Sequence, residues 1–382
     1  MNILLNFVPL KSGGGMQVGL DFVRQAKVHG SAHRWYLVAT AGTPLSRVEP
    51  QSNFFVAHLV PRNALARLWF EVFGCIRVTR RVRPAVIYTQ FGPQWPGARR
   101  FVNVVGCAYS NLVYPEIDFW GRLDLPRRWL RKIIDILRER RVRQADVVVF
   151  ETADLAERGV RLLGLDSDRV HVVQPSISSL VAPDVLHEET RKRCEQIPCG
   201  FRVLLLAAYN PNKNIELLPR VAKALANEHG DHDVLFLTTL PGDAAVTRNI
   251  RDMARDLGVA SRVHNVGPVP QEGCAELYRC CDAVILPSQL ESFSNTIAEA
   301  WTMQRPLLVS DLAWARALCG DGALYFRYDD AGEAARQIHA IKTDARLRQD
   351  VVHRGTRMLA TYPTAEQRFR RYLDIIERYA ER

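Results

Sequence analysis

One rhythm constrains this chain more than any other feature: short β-branched, near-continuously apolar runs alternate with amphipathic helical patterns, and the series starts twice. Candidate strands fall at 3–8, 35–40, 54–57, 86–89, 102–106, 147–150 and 170–173, with candidate helices at 16–29, 64–83, 126–144 and 153–163 between them. Runs apolar at every position, not every second one, fit strands covered on both faces of a mostly parallel sheet. The pattern therefore predicts an α/β architecture.

After Gln174-Pro175-Ser176 the segment 178–199 is polar and weakly periodic, and Val203 opens the second series. Strands are expected at 203–207, 234–239, 263–266, 283–286, 307–309 and 323–326, with helices such as 215–227 and 244–257. Leu217, Leu218, Val221 and Leu225 share one face of the first of these helices. A length of 382 residues accommodates two domains of ordinary size. We expect a first domain at 1–176, a second at 177–363 and a C-terminal helix at 364–382. Two doubly wound, Rossmann-like domains in tandem predict a ligand crevice at the carboxyl ends of their strands.

Composition removes several classes. With 47% hydrophobic and 24% charged residues the chain is neither disordered nor fibrous. Its longest near-unbroken apolar run, 203–208, is far shorter than the roughly 20 residues of a spanning helix. The eight cysteines form no C-x-x-C pair and lack zinc-finger histidines, so they read as reduced thiols of a cytoplasmic protein. Charge is unevenly shared: residues 1–175 carry 25 Lys and Arg against 14 Asp and Glu, while the remainder balances 26 against 27. The first half is thus expected to face an anionic partner, whether lipid surface, phosphate-bearing substrate or nucleic acid.

Three segments could carry chemistry. Ser12-Gly13-Gly14-Gly15 follows the first strand and opens a helix, where bare backbone N–H groups can approach an anion. It is not a dinucleotide fingerprint, because strand two ends Val38-Ala39-Thr40 without the ribose-binding acid. A simple tight turn and a ligand loop both fit it. Tyr209-Asn210-Pro211-Asn212-Lys213-Asn214 places a lysine at a strand-to-helix turn, either as a solvated surface group or as a point charge for phosphate. The third is Pro287-Ser288-Gln289-Leu290-Glu291-Ser292-Phe293-Ser294-Asn295-Thr296-Ile297-Ala298-Glu299-Ala300. Its two glutamates flank a helix start, so backbone N–H groups of Ser294, Asn295 and Thr296 are expected to receive phosphate. Apolar Phe293, Ile297 and Ala298 make mere surface capping less natural.

Glu291 to Glu299 resembles the E-x7-E motif of the retaining GT-B glycosyltransferases of family 4, the glycosyl transferases group 1. Leu277-Tyr278, Cys281 to Ser288, Ala300-Trp301, Val309-Ser310-Asp311 and Gly320 to Phe326 extend the agreement over about 60 residues. The resemblance implies a GT-B fold and transfer of a sugar from a nucleotide-sugar donor to a glycan or lipid-linked glycan, with retention, in cell-surface polysaccharide synthesis. Within it, Lys213 would bind the donor diphosphate, Glu299 the ribose hydroxyls and Glu291 a sugar hydroxyl. The backbone of Ser294, Asn295 and Thr296 would hold the distal phosphate, and Gly14 and Gly15 would line the cleft. Gly267 and Val269, in Asn265-Val266-Gly267-Pro268-Val269, would contact the nucleobase.

The chain departs from the family at two places. Ala208 occupies the position, five before the lysine, where an arginine is common, and Gly106-Cys107-Ala108-Tyr109-Ser110-Asn111 lacks the first-domain histidine. Tyr109, Ser110 and Asn111 are the acceptor-side candidates. No cofactor or metal is expected, since Asp231-His232-Asp233 precedes a strand and no D-x-D faces the cleft.

In the helix at 126–144, Trp129, Leu130, Ile133, Ile134 and Leu137 form a stripe among arginines. Two readings fit: an ordinary core helix with a solvated basic face, or docking to an anionic membrane at the inner face of the cell. The helix at 64–83 is a second candidate contact. The C-terminal pattern of Phe369, Tyr372, Leu373, Ile376 and Tyr379 would, by resemblance, cross back to the first domain. Competing functions are a nucleotide-sugar 2-epimerase on the same scaffold and a basic nucleic-acid-binding module; the arginine-rich stretches match no recognition motif, so no nucleic-acid partner is expected.

Overall fold

A computed structural model describes residues 1–121, 123–177 and 180–381. Ser178 and Ser179 of the expected linker and Arg382 of the expected C-terminal helix lie outside the described residues.

Seven strands form the first sheet: β1 Asn2–Asn6, β2 Arg34–Thr40, β3 Phe54–Val60, β4 Val86–Gln90, β5 Val102–Gly106, β6 Val147–Phe150 and β7 Val170–Val172. All pairs are parallel, in the order β3-β2-β1-β4-β5-β6-β7. The second sheet has β8 Phe201–Leu205, β9 Val234–Thr238, β10 Val263–Asn265, β11 Ala283–Leu286, β12 Leu307–Ser310 and β13 Leu324–Phe326, again all parallel, ordered β10-β9-β8-β11-β12-β13. β4, β6, β8's last three residues, β9, β11 and β12 are buried at every position, which is what their largely apolar character requires. In each sheet the winding reverses once, between β1 and β4 and between β8 and β11. Such switch points leave a crevice at the strands' carboxyl ends.

The chain divides into two compact units, 1–176 together with 363–382, and 177–362. The helix Ala365–Ala380 belongs to the first unit although it ends the sequence. Thr364 and Gln367 close a capping box at its start. Its Phe369 and Tyr372 enter the first unit's core, with ring centroids 5.1 Å from Phe22 and 5.0 Å from Tyr88. In the second unit Leu217, Leu218, Val221 and Leu225 are all buried on the helix Leu217–His229. Asp231 is buried beneath that core, with Lys342 Nζ at 2.6 Å and His339 Nδ1 at 3.3 Å. This anchor is what Asp231-His232-Asp233 contributes.

Three expectations need correction. The helix expected at 64–83 is interrupted: α-helix Ala64–Trp69 passes into a π turn, Phe70–Gly74, before α-helix Cys75–Val82. The wider turn keeps Phe70, Cys75, Val78 and Val82 in the core while Leu65, Leu68, Trp69 and Phe73 face solvent. Gly74 permits it, since a Cβ there would lie 2.6 Å from Phe70 Cδ2. Second, the core reading of the helix at 126–144 fails. The helix spans Leu125–Arg143, and Val142 is its buried residue, while Trp129, Leu130, Ile133 and Leu137 are exposed. Third, the weakly periodic segment 178–199, read from sequence only as the domain boundary, includes a helix. This helix, Glu188–Glu195, buries Thr190 and Cys194 and packs on the helix Cys274–Cys280.

Candidate active site

β8 and β11 are neighbours, so the loops that leave their carboxyl ends are brought together at the second sheet's switch point. After β8 the chain forms a tight turn at Pro211–Lys213, ended by Asn214 in the left-handed region at φ 50°. Asn214 tolerates this conformation better than most residues, and its side chain donates to the Tyr328 carbonyl at 2.8 Å. Three bonds join this turn to the loop after β11. Asn212 Nδ2 donates to Leu290 O at 2.8 Å, the Gln289 N–H donates to Asn212 O at 2.7 Å, and Lys213 Nζ donates to Glu291 Oε1 at 2.6 Å. Thr296 Oγ1 adds a fourth link, to Leu206 O at 3.3 Å.

The pair is sheltered yet reachable: the Lys213 side chain is 19% exposed and that of Glu291 10%. An ammonium has three N–H donors, and Glu291 engages one. The remaining two are available to an anion entering the loop mouth.

The helix Asn295–Thr302 starts directly beyond Glu291, and Ser294 provides no side-chain cap to its first turn. No acidic side chain occupies that turn either. The positive end of the helix is therefore not neutralised locally. Glu299 lies one turn in, buried, and its Oε2 accepts from Tyr278 Oη at 2.8 Å. Burial pushes the Glu299 carboxyl up to about 7, and the Tyr278 hydroxyl pulls it partway back. A buried carboxylate with one donor retains lone pairs for more. It is suited to accept from ligand hydroxyls.

Gly267 and Val269 stand on the loop after β10, two strands from β8 on the same carboxyl edge. Gly267 has φ 83°, and its loop is fixed because the Asn265 side chain bonds Leu240 N and O, both at 2.8 Å. Gly14 and Gly15 belong to the first unit, at the start of the helix Gly13–His29 beside that unit's own switch point; Gly13 takes φ 68° to make the turn. Tyr109, Ser110 and Asn111 follow β5 in the same unit. Asn111 Nδ2 donates to Asp135 at 2.8 Å, and the Arg138 guanidinium covers the Tyr109 ring at 4.8 Å. These two side chains are thus engaged with the helix Leu125–Arg143. Ser110 is buried at the start of the short turn Ser110–Leu112.

Reasoning from sequence passed over Asn212 and gave Tyr278 no role. Tyr278 lies 21 positions before Glu299, so no local pattern pairs them. Trp301 was also left without a role; its Nε1 donates to Gly322 O at 2.9 Å and ties the Glu299 helix to the rest of the unit.

Residues 200–344, which include the whole of this loop cluster, match the family model described as glycosyl transferases group 1. Most of the second unit is thus similar to the glycosyl transferases group 1. Curated relatives of this chain include the D-inositol 3-phosphate glycosyltransferases of Thermomonospora curvata and Nocardia farcinica. The first is 28% identical over 218 residues, 54% of this chain and 51% of its own length. The second is 28% identical over 214 residues, 54% of this chain and 48% of its own. The chain thus spans about half the length of the curated relatives it matches.

Among solved structures, sucrose-phosphate synthase from Thermosynechococcus elongatus superposes with a TM-score of 0.75 at 15% identity, over 99% of this chain and 98% of that one. Anabaena HepE in complex with UDP and glucose gives 0.74 at 15% identity, over 99% and 100%. These likenesses establish the fold, GT-B, with two Rossmann-like α/β domains. Among the described residues, no three His, Cys, Asp or Glu gather into a set able to hold a metal ion.

Proposed function

We propose that the protein is a retaining glycosyltransferase that moves a sugar from a nucleoside diphosphate sugar to a hydroxyl of a glycan or lipid-linked glycan. The observation that carries this reading is the 2.6 Å pairing of Lys213 with Glu291 beside an uncapped helix start. It sets a cation and a carboxylate side by side where a glycosyl–phosphate bond would need both. Glu291 accepts from a sugar hydroxyl near the anomeric carbon. Lys213 and the N–H groups of Ser294, Asn295 and Thr296 take the diphosphate, and Glu299 accepts from the ribose hydroxyls. The loop of Gly267 and Val269 meets the base, Gly14 and Gly15 serve the donor, and the segment Tyr109, Ser110 and Asn111 serves the acceptor side.

In the reaction the bond from the anomeric carbon to the phosphate oxygen breaks, and its electron pair leaves with the diphosphate. The acceptor oxygen bonds to the same face of the carbon, and its proton passes to the departing phosphate oxygen. Negative charge grows where Lys213 and the helix start already stand. Fixed donors of that kind need no reorganisation as the barrier is crossed, and removing one typically costs about 10²–10³ in turnover. The reading invokes no metal ion. It places the work in the cytoplasm, with polysaccharide or glycolipid assembly as its setting.

The test is incubation with UDP-, GDP-, dTDP- and ADP-sugars, with released nucleotide and anomeric configuration followed by NMR. UDP-glucose is the first probe, because a structurally similar Anabaena protein was crystallised with UDP and glucose. Released nucleotide with a retained linkage supports the proposal. An epimerised donor, an inverted product or inertness to every donor overturns it.

A further inference from the structure

The helix Leu125–Arg143 is assembled inside out. Its protein-facing side carries Asp135, whose carboxylate accepts from Asn111 Nδ2 at 2.8 Å, Trp120 Nε1 at 2.6 Å and Arg138 at 3.0 Å. Its opposite side presents Leu125, Trp129, Leu130, Ile133, Ile136 and Leu137 to solvent, with Trp129 66% and Ile136 65% exposed. A soluble helix normally buries such a stripe and wets the polar face. Here the arrangement is reversed.

A second element continues the same surface. Before and within its π turn, the segment Ala64–Val82 turns out Leu65, Leu68, Trp69 and Phe73, the last 59% exposed. Buried Glu71 joins the two segments, with Arg67 Nε and Arg141 Nη1 each 2.8 Å from its carboxylate oxygens. Ten outward apolar side chains on two linked segments are far from the isolated exposed leucine that needs no explanation.

Charge identifies what covers them. The two segments, 64–82 and 125–143, contain twelve Lys and Arg against three acidic residues. Each acid is already paired with arginine: Glu71 as above, Asp135 with Arg138 at 3.0 Å and Glu139 with Arg143 at 2.6 Å. Exposed Arg77, Arg80, Arg131, Lys132 and Arg140 therefore border the apolar side chains without acidic neighbours on the same segments to offset them. Both tryptophans lie under a cation, Trp69 under Arg77 and Trp129 under Lys132, each at 5.9 Å. Aromatic bodies with long cationic side chains beside them match the boundary between acyl chains and anionic headgroups. Among the described residues no helix is long and apolar enough to cross a bilayer.

We infer that these two segments form a surface that docks in the plane of an anionic lipid leaflet, apolar side chains inserted and arginines on the headgroup phosphates. The inference goes beyond the transfer reaction and does not depend on it.

Flotation of the full chain with vesicles tests it. Vesicles of phosphatidylcholine containing one quarter phosphatidylglycerol are expected to carry at least about tenfold more protein than phosphatidylcholine alone, and added salt is expected to reduce binding. Trp129→Glu with Ile133→Glu, both at exposed positions, is expected to abolish flotation while circular dichroism and melting temperature stay unchanged. Lys132→Glu with Arg140→Glu provides an independent variant should the first pair misfold, and is expected to erase the preference for anionic vesicles. Equal flotation with neutral and anionic vesicles, absence from both, or undiminished binding by both variants overturns the inference. So does a dimer dispersed by the same substitutions in a protein that never floats, because a second copy is then the occupant.

Discussion

Lys213 Nζ stands 2.6 Å from Glu291 Oε1, although 78 positions separate the two residues. Each is delivered by the loop leaving one of two adjacent parallel strands, β8 and β11, at the point where the sheet's winding reverses. The contact does more than join loops. It keeps a cation at the site in the absence of ligand and aims a carboxylate at the same volume.

Replacing the amine should therefore be expensive for catalysis and mild for folding. Lys213→Ala is expected to lower turnover about 10²–10³-fold, as loss of one charge-stabilising donor does. Stability should fall by about 1–3 kcal/mol, because Glu291 loses its partner in a mostly buried position. Steady-state kinetics beside urea unfolding separates the two effects. Near-normal turnover would remove Lys213 from the chemistry.

Glu299 makes stability depend on pH in a stated direction. Its carboxyl titrates at about 7 in the fold, against 4.5 ordinarily. Between those values the folded chain holds a proton that the unfolded chain has released. The favourable contribution is complete below the lower value, falls as pH rises through the interval and is flat above it. The loss amounts to about 3 kcal/mol at most. Glu299→Gln should abolish it, so chemical unfolding of both proteins at about pH 5 and about pH 8 should show the wild type losing more stability than the variant.

The same carboxyl couples to ligand. If ribose hydroxyls donate to ionised Glu299, UDP binding weakens about tenfold for each pH unit below 7. Glu299→Gln should bind more weakly at high pH but lose this component of the slope, leaving only the titration of UDP itself. Calorimetry across that range reads both, and identical slopes would exclude Glu299 from the ribose contact. Tyr278→Phe should move the midpoint upward, since the phenol is the donor that favours the charged form.

Trp301 acts at a distance from the ligand. A Cβ on Gly355 would lie 2.3 Å from Trp301 Cδ1, so Gly355→Ala must displace the indole that anchors the Glu299 helix. A cost of about 1–3 kcal/mol is expected from such overpacking, read as a lowered melting temperature. Unchanged melting would show that the helix tolerates the shift.

The tail is part of the first unit's core. Phe369 is 1% exposed and packs against Phe22 and Trp35. Phe369→Ala should cost about 3–5 kcal/mol, and removal of 363–382 should leave the first unit unable to fold cooperatively. A native-like denaturant transition after truncation would contradict this.

Local periodicity decided much about this protein. All thirteen strands among the described residues begin and end within three residues of where largely apolar runs placed them, and the central ones are apolar because both of their faces are covered. The Glu291-to-Glu299 spacing and the lysine turn were legible for the same reason: a loop and the helix after it are contiguous in sequence. What a stripe packs against is not local. The apolar face of Leu125–Arg143 has the spacing of a core helix, yet Asp135 and its partners take the protein side and the stripe is left outside. The π turn at Phe70–Gly74 depends on how close Gly74 comes to Phe70, which no residue count predicts. The meetings of Lys213 with Glu291 and of Tyr278 with Glu299 were likewise decided only by tertiary structure. Backbone geometry fixes the period of each element, whereas the side it buries depends on which distant surfaces arrive to cover it.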